Sequence, residues 1–349
     1  MLDLIQLPTF ANMLLFVAAA VGVWIAGTRL SIYAEEISDR RRIGKALMGL
    51  IFLASATSLP EIVTTIAASL ENNAALALNN LFGGIALQTA ILAAADAAVR
   101  HAPLTFYPRK LTPVLEASFL VILLALLQCV IVLGDQQLAF QIGIGTIVLT
   151  AAYLFSIYFL RSFDKRDAWL PVSLPEESDV DVGLGWIARL RDVTSQKLNL
   201  GFVLAGTAVL AFGVLLVETA DALAVQTELG SSFIGVTLLA ASTSLPELST
   251  TIMAVRLRSY TMAISNIFGS NLIMVVLVLP ADIFYRPGPI LGEIDRSASF
   301  ALISGLIVTV IYIVGLVVRS RRQFAGMGID SAVVLGVYAL ALVAFYHLR

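Results

Sequence analysis

The stretch Thr57-Ser58-Leu59-Pro60-Glu61 places a proline and a carboxylate inside an otherwise apolar segment. The same five residues recur as Thr243-Ser244-Leu245-Pro246-Glu247. A proline inside a helix removes a backbone donor and clashes with the carbonyl four residues earlier, so each copy predicts a broken helix. A glutamate at mid-membrane depth costs roughly 2.5–3.5 kcal/mol and is rarely kept without a function. Two copies in matching surroundings therefore predict a functional site.

The composition around these two stretches is that of a membrane protein. Of the 349 residues, 59% are hydrophobic and only 13% are charged, which argues against a soluble globular protein. Runs of about 20 apolar residues, the length that crosses a hydrocarbon core, predict an all-α polytopic fold. Ten spans are predicted, over 11–30, 46–69, 75–98, 112–133, 138–160, 199–217, 232–255, 260–284, 299–318 and 330–347. Little of the chain remains for a soluble catalytic or nucleic-acid-binding domain.

The basic residues indicate the orientation of these spans. If the N-terminus lies outside, the cytoplasmic loops and the inner end of the first span hold 19 of the 22 Lys and Arg residues. Such a bias follows the positive-inside rule. We therefore expect both termini outside and the central loop, 161–198, in the cytoplasm. The compact length and short central loop favour a bacterial inner (plasma) membrane.

The two halves of the chain are related by an internal repeat. A shift of 186 positions aligns them without a gap from about Gly22 to Pro103. Five spans precede the central loop and five follow it, so the second copy would enter the membrane from the opposite side. The predicted units are a first five-helix repeat over 1–160 with its motif at 55–103, a linker over 161–198, and a second five-helix repeat over 199–349 with its motif at 241–289. Inverted repeats are typical of transporters whose substrate binds where broken helices meet at the midplane.

The residue types at the breaks point to a cation site. Thr57, Ser58 and Glu61 share one broken turn, where hydroxyl, carboxylate and freed carbonyl oxygens can converge. All-oxygen sites suit hard cations such as Ca²⁺ and Na⁺, and two glutamates would neutralise a divalent ion. Asn80 and Asn266, on the helices that follow the breaks, offer further oxygens.

An acidic and a basic residue stand together at the far end of each of these following helices. Asp96 precedes Arg100 by four residues, and Asp282 precedes Arg286 by the same spacing. Opposite charges at this spacing share one helix face. The pattern predicts two interfacial salt bridges.

The duplicated block, together with Ser265-Asn266-Ile267-Phe268-Gly269-Ser270-Asn271 on the following helix, resembles the alpha-repeats of the cation/calcium exchanger superfamily. The likeness is greatest to its prokaryotic sodium/calcium exchanger branch and covers nearly the full chain. It implies ten transmembrane helices and antiport by alternating access. It also implies roles for individual residues. Glu61 and Glu247 would be the central Ca²⁺ ligands, and Thr57 and Thr243 would bind the ion through their backbone carbonyl oxygens. Ser58, Ser244 and Ser270 would lie at flanking Na⁺ sites.

The chain departs from that family pattern beside the site. The usual Gly-Ser-Asn reads Gly83-Gly84-Ile85 in the first repeat, so one hydroxyl is missing. Four residues beyond the serine position, where the family places an amide or an acid, stand Gln88 and Met274. Gln88 can still coordinate a cation, whereas Met274 is a poor ligand for a hard ion. The Na⁺ positions are thus depleted, and protons could replace sodium.

The expected function is sodium/calcium exchange with the ions competing for the two glutamates. A calcium (or other cation)/proton antiporter on the same fold is the alternative, and a passive cation channel is a remote one. An intramembrane hydrolase using Ser58 or Ser244 would lack a suitably placed histidine or lysine base, so no enzyme is expected. We expect no cofactor. The expected partners are the lipid bilayer and the transported ions Ca²⁺, Na⁺ and H⁺, with no nucleic acid and no obligate protein partner.

Overall fold

The computed structural model describes residues 4–99, 101–139, 141–164, 193–226 and 240–347. Within them the chain is helical apart from two short antiparallel hairpins, β1–β2 and β3–β4. The helices are α1 (Thr9–Arg41), α2 (Lys45–Thr57), α3 (Leu59–Leu70), α4 (Ala74–Ala95), α5 (Thr112–Leu133), α6 (Ile144–Phe163), α7 (Ser195–Gln226), α8 (Leu245–Arg256), α9 (Tyr260–Val276), α10 (Val278–Phe284), α11 (Arg296–Val318) and α12 (Ile329–His347). The strands are β1 (Gln137–Ala139), β2 (Ile142–Gly143), β3 (Gln323–Phe324) and β4 (Met327–Gly328), and 3₁₀ turns occupy Leu4–Gln6, Asp96–Ala98, Leu104–Phe106 and Ile290–Glu293.

Several of these helices can cross a membrane. In the described part of the chain, seven are long and apolar enough, and eight if α2 and α3, which meet at 47°, form one bent span. The predicted all-α, multi-pass class is confirmed. Part of the predicted span 232–255 and most of the predicted linker 161–198 lie outside the described residues.

Helices α1 and α7 form a long antiparallel pair. They have 33 and 32 residues and continue well past the predicted spans 11–30 and 199–217. At about 1.5 Å per residue each is about 50 Å long, more than the ~30 Å hydrocarbon core. The amide of Asn12 donates to Gln226 at one end of the pair (3.2 Å), and Arg40 donates to the carbonyl of Val193 at the other end (2.5 Å).

The interior is built on α4 and α9. In the spans that contain them, 67% and 72% of the residues are buried, against 28% in α1 and in α7. Two glycines let α9 approach α2 at backbone contact: a Cβ on Gly49 would lie 2.5 Å from the carbonyl oxygen of Met262, and one on Gly269 would lie 2.5 Å from that of Leu50. This close crossing holds the end of α2 against the middle of α9.

Two buried aspartates, at the end of α4 and in α10, tie loops to the helical core. Each uses both carboxylate oxygens to accept backbone N–H groups. These bonds join Asp96 to Leu104 (2.5 Å) and Gly328 (2.6 Å), and Asp282 to Ile290 (2.7 Å) and Gly143 (2.8 Å). Leu104 and Ile290 are themselves 186 positions apart, so the two halves close this loop in the same way.

These bonds correct one of the expectations from the sequence. The predicted salt bridge between Asp282 and Arg286 is wrong, because both oxygens of Asp282 accept from backbone amides instead. Helix α10 ends at Phe284, so Arg286 does not continue the helix on which the spacing argument depended. Arg100, the expected partner of Asp96, lies outside the described residues.

Candidate functional site

Both copies of the repeated block fold into the same turn. Ser58 has φ −81° and ψ 5°, and Ser244 has φ −88° and ψ 2°, so each serine ends one helical segment just before the next begins. Pro60 and Pro246 fall in the first turn of α3 and of α8, where the missing N–H has no helical partner to lose. The predicted break is confirmed in both halves.

The two glutamates lie in the first turn beyond these breaks and are fully buried. Glu61 and Glu247 each have 0% of their surface exposed. They lie close enough for their charges to repel each other. In the described part of the chain, neither forms an ion pair with a basic side chain. A cation between the two carboxylates would relieve both the repulsion and the cost of burying charge.

The immediate partners of the two glutamates differ. Oε1 of Glu247 accepts a hydrogen bond from Ser270 (3.3 Å), and the hydroxyls of Ser270 and Thr57 are also 3.3 Å apart. Neither oxygen of Glu61 has a hydrogen-bond partner within the described structure. Thr57 and Ser270 come from different halves of the chain, so Glu247 is linked through Ser270 to the first half.

The threonines that open the two blocks use their hydroxyls to close the preceding turn. Thr57 donates to the carbonyl of Ala54 (3.2 Å), and Thr243 donates to the carbonyl of Ala240 (3.0 Å). Each hydroxyl therefore stabilises the helix end at the break. The role of the threonine backbone carbonyls as ion ligands stays a prediction.

The two asparagines are tied to the glutamate turns through a second pair of threonines. Asn80 donates to Thr64 (3.5 Å) and Asn266 donates to Thr250 (3.1 Å). The threonines donate in turn, at 3.1 Å each, to the backbone carbonyls of Glu61 and Glu247. Thr64 and Thr250 lie 186 residues apart, as do the asparagines, so both halves build the same three-residue link. These threonines were not among the expected site residues.

Several buried polar atoms at the site have no hydrogen-bond partner among the described residues. They are both oxygens of Glu61, Oε2 of Glu247, the hydroxyls of Ser58 and Ser244, both amide atoms of Gln88 and Oδ1 of Asn266. Native structures leave few buried polar groups unpaired, so these atoms are available to bind a polar ligand. Across the described residues no group of three or more His, Cys, Asp or Glu side chains could hold a metal. The oxygen set is thus two carboxylates and neutral groups.

The structure links some of the expected site residues directly and leaves others apart. Thr57, Ser270 and Glu247 form one continuous chain of contacts. Thr243, by contrast, contacts the carbonyl of its own helix. The partly exposed Asn80 lies at the edge of the site, whereas its counterpart Asn266 is fully buried.

Two buried polar residues lie outside the set of expected site residues. Asn271 donates to Thr89 (3.2 Å) and to the carbonyl of Ile85 (3.4 Å), so it bridges α9 and α4. Glu116 in α5 is fully buried, faces Ser265, and has no hydrogen-bond partner for either oxygen within the described structure. An acid inside a predicted span was a usable signal for Glu116. Glu116 was not predicted as a site residue because no acid stands at the corresponding position of the other half.

The fold matches solved structures of a cation exchanger. The structure of the sodium/calcium exchanger from Methanococcus jannaschii superposes with a TM-score of 0.65 at 16% identity, covering 96% of this chain and 99% of that one. The same exchanger soaked with 10 mM Na⁺ and zero Ca²⁺ gives a TM-score of 0.69 at 16% identity, covering 97% and 99% of the two chains. At such identity the likeness establishes the fold.

Sequence comparisons cover most of the chain as well. Inner membrane protein YrbG of Escherichia coli (strain K12) is 26% identical over 325 residues, which are 91% of this chain and 92% of that protein. The protein named "Putative antiporter CaxA" of Alkalimonas amylolytica is 24% identical over 288 residues, 80% and 82% of the two chains. The family model for the sodium/calcium exchanger protein matches residues 11–160 and 197–347, which is most of both halves. The chain therefore belongs to the sodium/calcium exchanger protein family.

Proposed function

We propose that this protein is a secondary active antiporter that exchanges Na⁺ for Ca²⁺ by alternating access. The observation that carries the proposal is the pair of fully buried glutamates, Glu61 and Glu247, surrounded by oxygens that have no partner in the described protein. Two carboxylates balance one Ca²⁺, and Na⁺ competes for the same oxygens. Because only one set of ions can occupy shared ligands at a time, exchange follows without any chemical reaction.

The family consists of transporters, so the chain is not an enzyme. Cation antiport is what its membership and its relatives support. The identity of the coupled ions is the proposed part. The hydroxyls of Ser58 and Ser244 act here as oxygen ligands.

We place the site between two inverted five-helix repeats, 1–160 and 199–349, with ten membrane-spanning helices in all. Several equivalent bonds support this arrangement, among them the Asn–Thr links to both glutamate turns and the aspartate caps at Leu104 and Ile290. The hairpin strands β1 and β3 also begin 186 residues apart, at Gln137 and Gln323. An odd number of spans per repeat would invert the second copy, giving access to one site from both sides.

The protein is a multi-pass membrane protein, and one of its relatives is an inner membrane protein of a bacterium. Within the bacterial inner membrane we place both termini outside and the loop 161–198 in the cytoplasm, on the distribution of Lys and Arg. The proposed partners are the bilayer and inorganic cations alone. No organic cofactor, nucleic acid or obligate protein partner enters the proposal.

Calcium (or other cation)/proton antiport is the second candidate. The specific observation that favours it is Glu61, whose two oxygens have no hydrogen-bond partner in the described structure. A buried carboxyl in this position can bind either a cation or a proton. A passive cation channel remains the remote alternative.

The test is uptake of radioactive Ca²⁺ into sodium-loaded proteoliposomes. We expect uptake by the wild type that depends on the outward Na⁺ gradient and is abolished in Glu61→Gln and Glu247→Gln. Glu71→Gln is the matched control, because Glu71 is an exposed acid at the end of the same helix as Glu61.

The outcomes separate the candidates. Wild-type uptake that follows an imposed pH gradient and ignores sodium would select proton antiport. Undiminished uptake in both glutamine variants would refute the two-glutamate site. Currents far above the turnover of a transporter would indicate a channel.

A further inference from the structure

The differences between the two halves of the site include three pairs of positions related by the 186-residue shift. Gly84 corresponds to Ser270, Ile85 to Asn271, and Gln88 to Met274. The polar member of the first two pairs lies on α9, and that of the third lies on α4. The differences are therefore distributed over both helices, and their meaning depends on which side chains face each other.

The apolar members of the first and third pairs, Gly84 and Met274, contact each other. We call this side of the site the first flank. A Cβ on Gly84 would lie 2.8 Å from Cε and 3.1 Å from Sδ of Met274, and Met274 is fully buried. The thioether therefore fills the volume that a serine side chain would occupy at position 84. A thioether is a soft ligand that a hard cation does not favour. Glu61 belongs to the same half as Gly84, and both of its oxygens lack a hydrogen-bond partner within the described residues.

The polar members of the first and third pairs, Ser270 and Gln88, define the second flank. Ser270 lies 3.3 Å from both Glu247 and Thr57. By the 186-residue shift, Ser270 is the counterpart of Gly84 and Gln88 is the counterpart of Met274. The repeat therefore relates the contact of Gly84 with Met274 to a pairing of Ser270 with Gln88. Gln88 is fully buried, and neither its oxygen nor its nitrogen has a partner in the described structure. An amide left in this condition points to a ligand.

We propose that the cation site is one-sided. Met274 closes the flanking position beside Gly84 and Glu61, and Ser270 with Gln88 lines the single flanking position that remains for a coupling Na⁺. This inference rests on the proposed sodium/calcium exchange and specifies its ion count. Restoring the missing flank should add one Na⁺ to each transport cycle.

The test restores the symmetry of the two flanks. In the Gly84→Ser/Met274→Gln double variant each flank carries one serine and one glutamine. Proteoliposomes with set Na⁺ and Ca²⁺ gradients and a clamped membrane potential give the Na⁺:Ca²⁺ ratio from the conditions at which net Ca²⁺ flux vanishes. We expect this ratio to rise by one Na⁺ in the double variant. Met262→Leu is the matched control, because Met262 is an equally buried methionine on the same helix.

A second variant removes the flank that remains. In Gln88→Met we expect the Na⁺ concentration for half-maximal Ca²⁺ efflux to rise about tenfold, since one lost polar contact changes affinity by roughly that factor. This variant decides the question if the double variant does not fold. The one-sided site is overturned by an unchanged ratio in a folded double variant, or by unchanged Na⁺ dependence in Gln88→Met. Absence of sodium-driven flux in the wild type would instead reject the proposed exchange itself.

Discussion

Substitution of Gly49 by alanine should separate the two helices that assemble the site. A Cβ at this position would lie 2.5 Å from the carbonyl oxygen of Met262, 2.9 Å from the amide nitrogen of Asn266 and 3.0 Å from Cβ of Ser265. The favourable nonbonded distance of a carbon atom is about 3.5 Å, so α2 and α9 must move apart by roughly 1 Å. Because two of the three atoms are backbone, no side-chain rotation can relieve the clash. Overpacking of this kind costs about 1–3 kcal/mol.

The same displacement should weaken ion binding. Thr57 at the end of α2 lies 3.3 Å from Ser270 on α9, and a shift of about 1 Å would break this contact, since hydrogen bonds weaken well before 4 Å. Thermal unfolding of the purified protein in detergent, with and without Ca²⁺, measures both effects. We expect Gly49→Ala to unfold at a lower temperature and to gain less from Ca²⁺ than the wild type.

Gly336→Ala is the matched control for this experiment. Gly336 is also helical, but a Cβ there meets no atom within 4 Å. Alanine should stabilise that helix by up to about 1 kcal/mol. The two substitutions are therefore expected to act in opposite directions. A Gly49→Ala protein as stable as the wild type, with full stabilisation by Ca²⁺, would refute the close-contact argument.

Three further substitutions have defined expectations, each measured by thermal unfolding against the wild type. Asp282→Ala leaves the buried amides of Gly143 and Ile290 unpaired and should cost about 2–5 kcal/mol; no loss would show that these bonds contribute nothing. Glu116→Leu removes a buried acid whose oxygens have no hydrogen-bond partner among the described residues and should stabilise the protein by about 1–3 kcal/mol, so destabilisation would indicate a hidden ligand. Burial, with a smaller contribution from the repulsion of Asp282, raises the pKa of Asp135, which lies between two spans. The folded protein therefore holds this proton more tightly, and stability should fall as the pH rises above about 4. Asp135→Asn should flatten that pH dependence, and an identical profile would contradict the assignment.

The broken helices could be predicted from the sequence because their cause is local. A proline acts on its own turn, and the turns at Ser58 and Ser244 have nearly the same backbone angles. The predicted salt bridge between Asp282 and Arg286 failed for an equally local reason. The spacing of four residues between Asp282 and Arg286 assumes a continuous helix, but α10 ends at Phe284 and Asp282 binds loop amides instead. The predicted span 11–30 marks only the apolar run, whereas α1 continues through charged residues to Arg41.

The contacts between the halves could not be predicted from the residues on either side alone. The sequence shows that Gly84 has no hydroxyl and that Met274 has no side-chain oxygen. From the sequence alone these are two separate departures from the family pattern. In the structure they are one feature, since the methionine side chain lies in the space above the glycine. This fit between Gly84 and Met274, 190 positions apart, depends on how α4 and α9 cross. The spacing of apolar residues along the sequence does not indicate that crossing.

The repeated and the unrepeated contacts have different functions in this fold. Contacts present in both halves, such as the links of Asn80 and Asn266 through threonine to the glutamate turns, fix where the two carboxylates stand. A change in either copy would move a carboxylate, so both copies are constrained alike. The contacts around Ser270 and Gly84 differ between the halves, because Ser270 contacts Glu247 and Thr57 whereas Gly84 has no hydroxyl to offer. This difference changes which ions bind beside the central cation. The helix break at which the central cation binds is the same in both halves. We therefore expect ion coupling to be altered by substitutions at the unrepeated positions, and binding of the central cation to be lost by substitutions at the repeated ones.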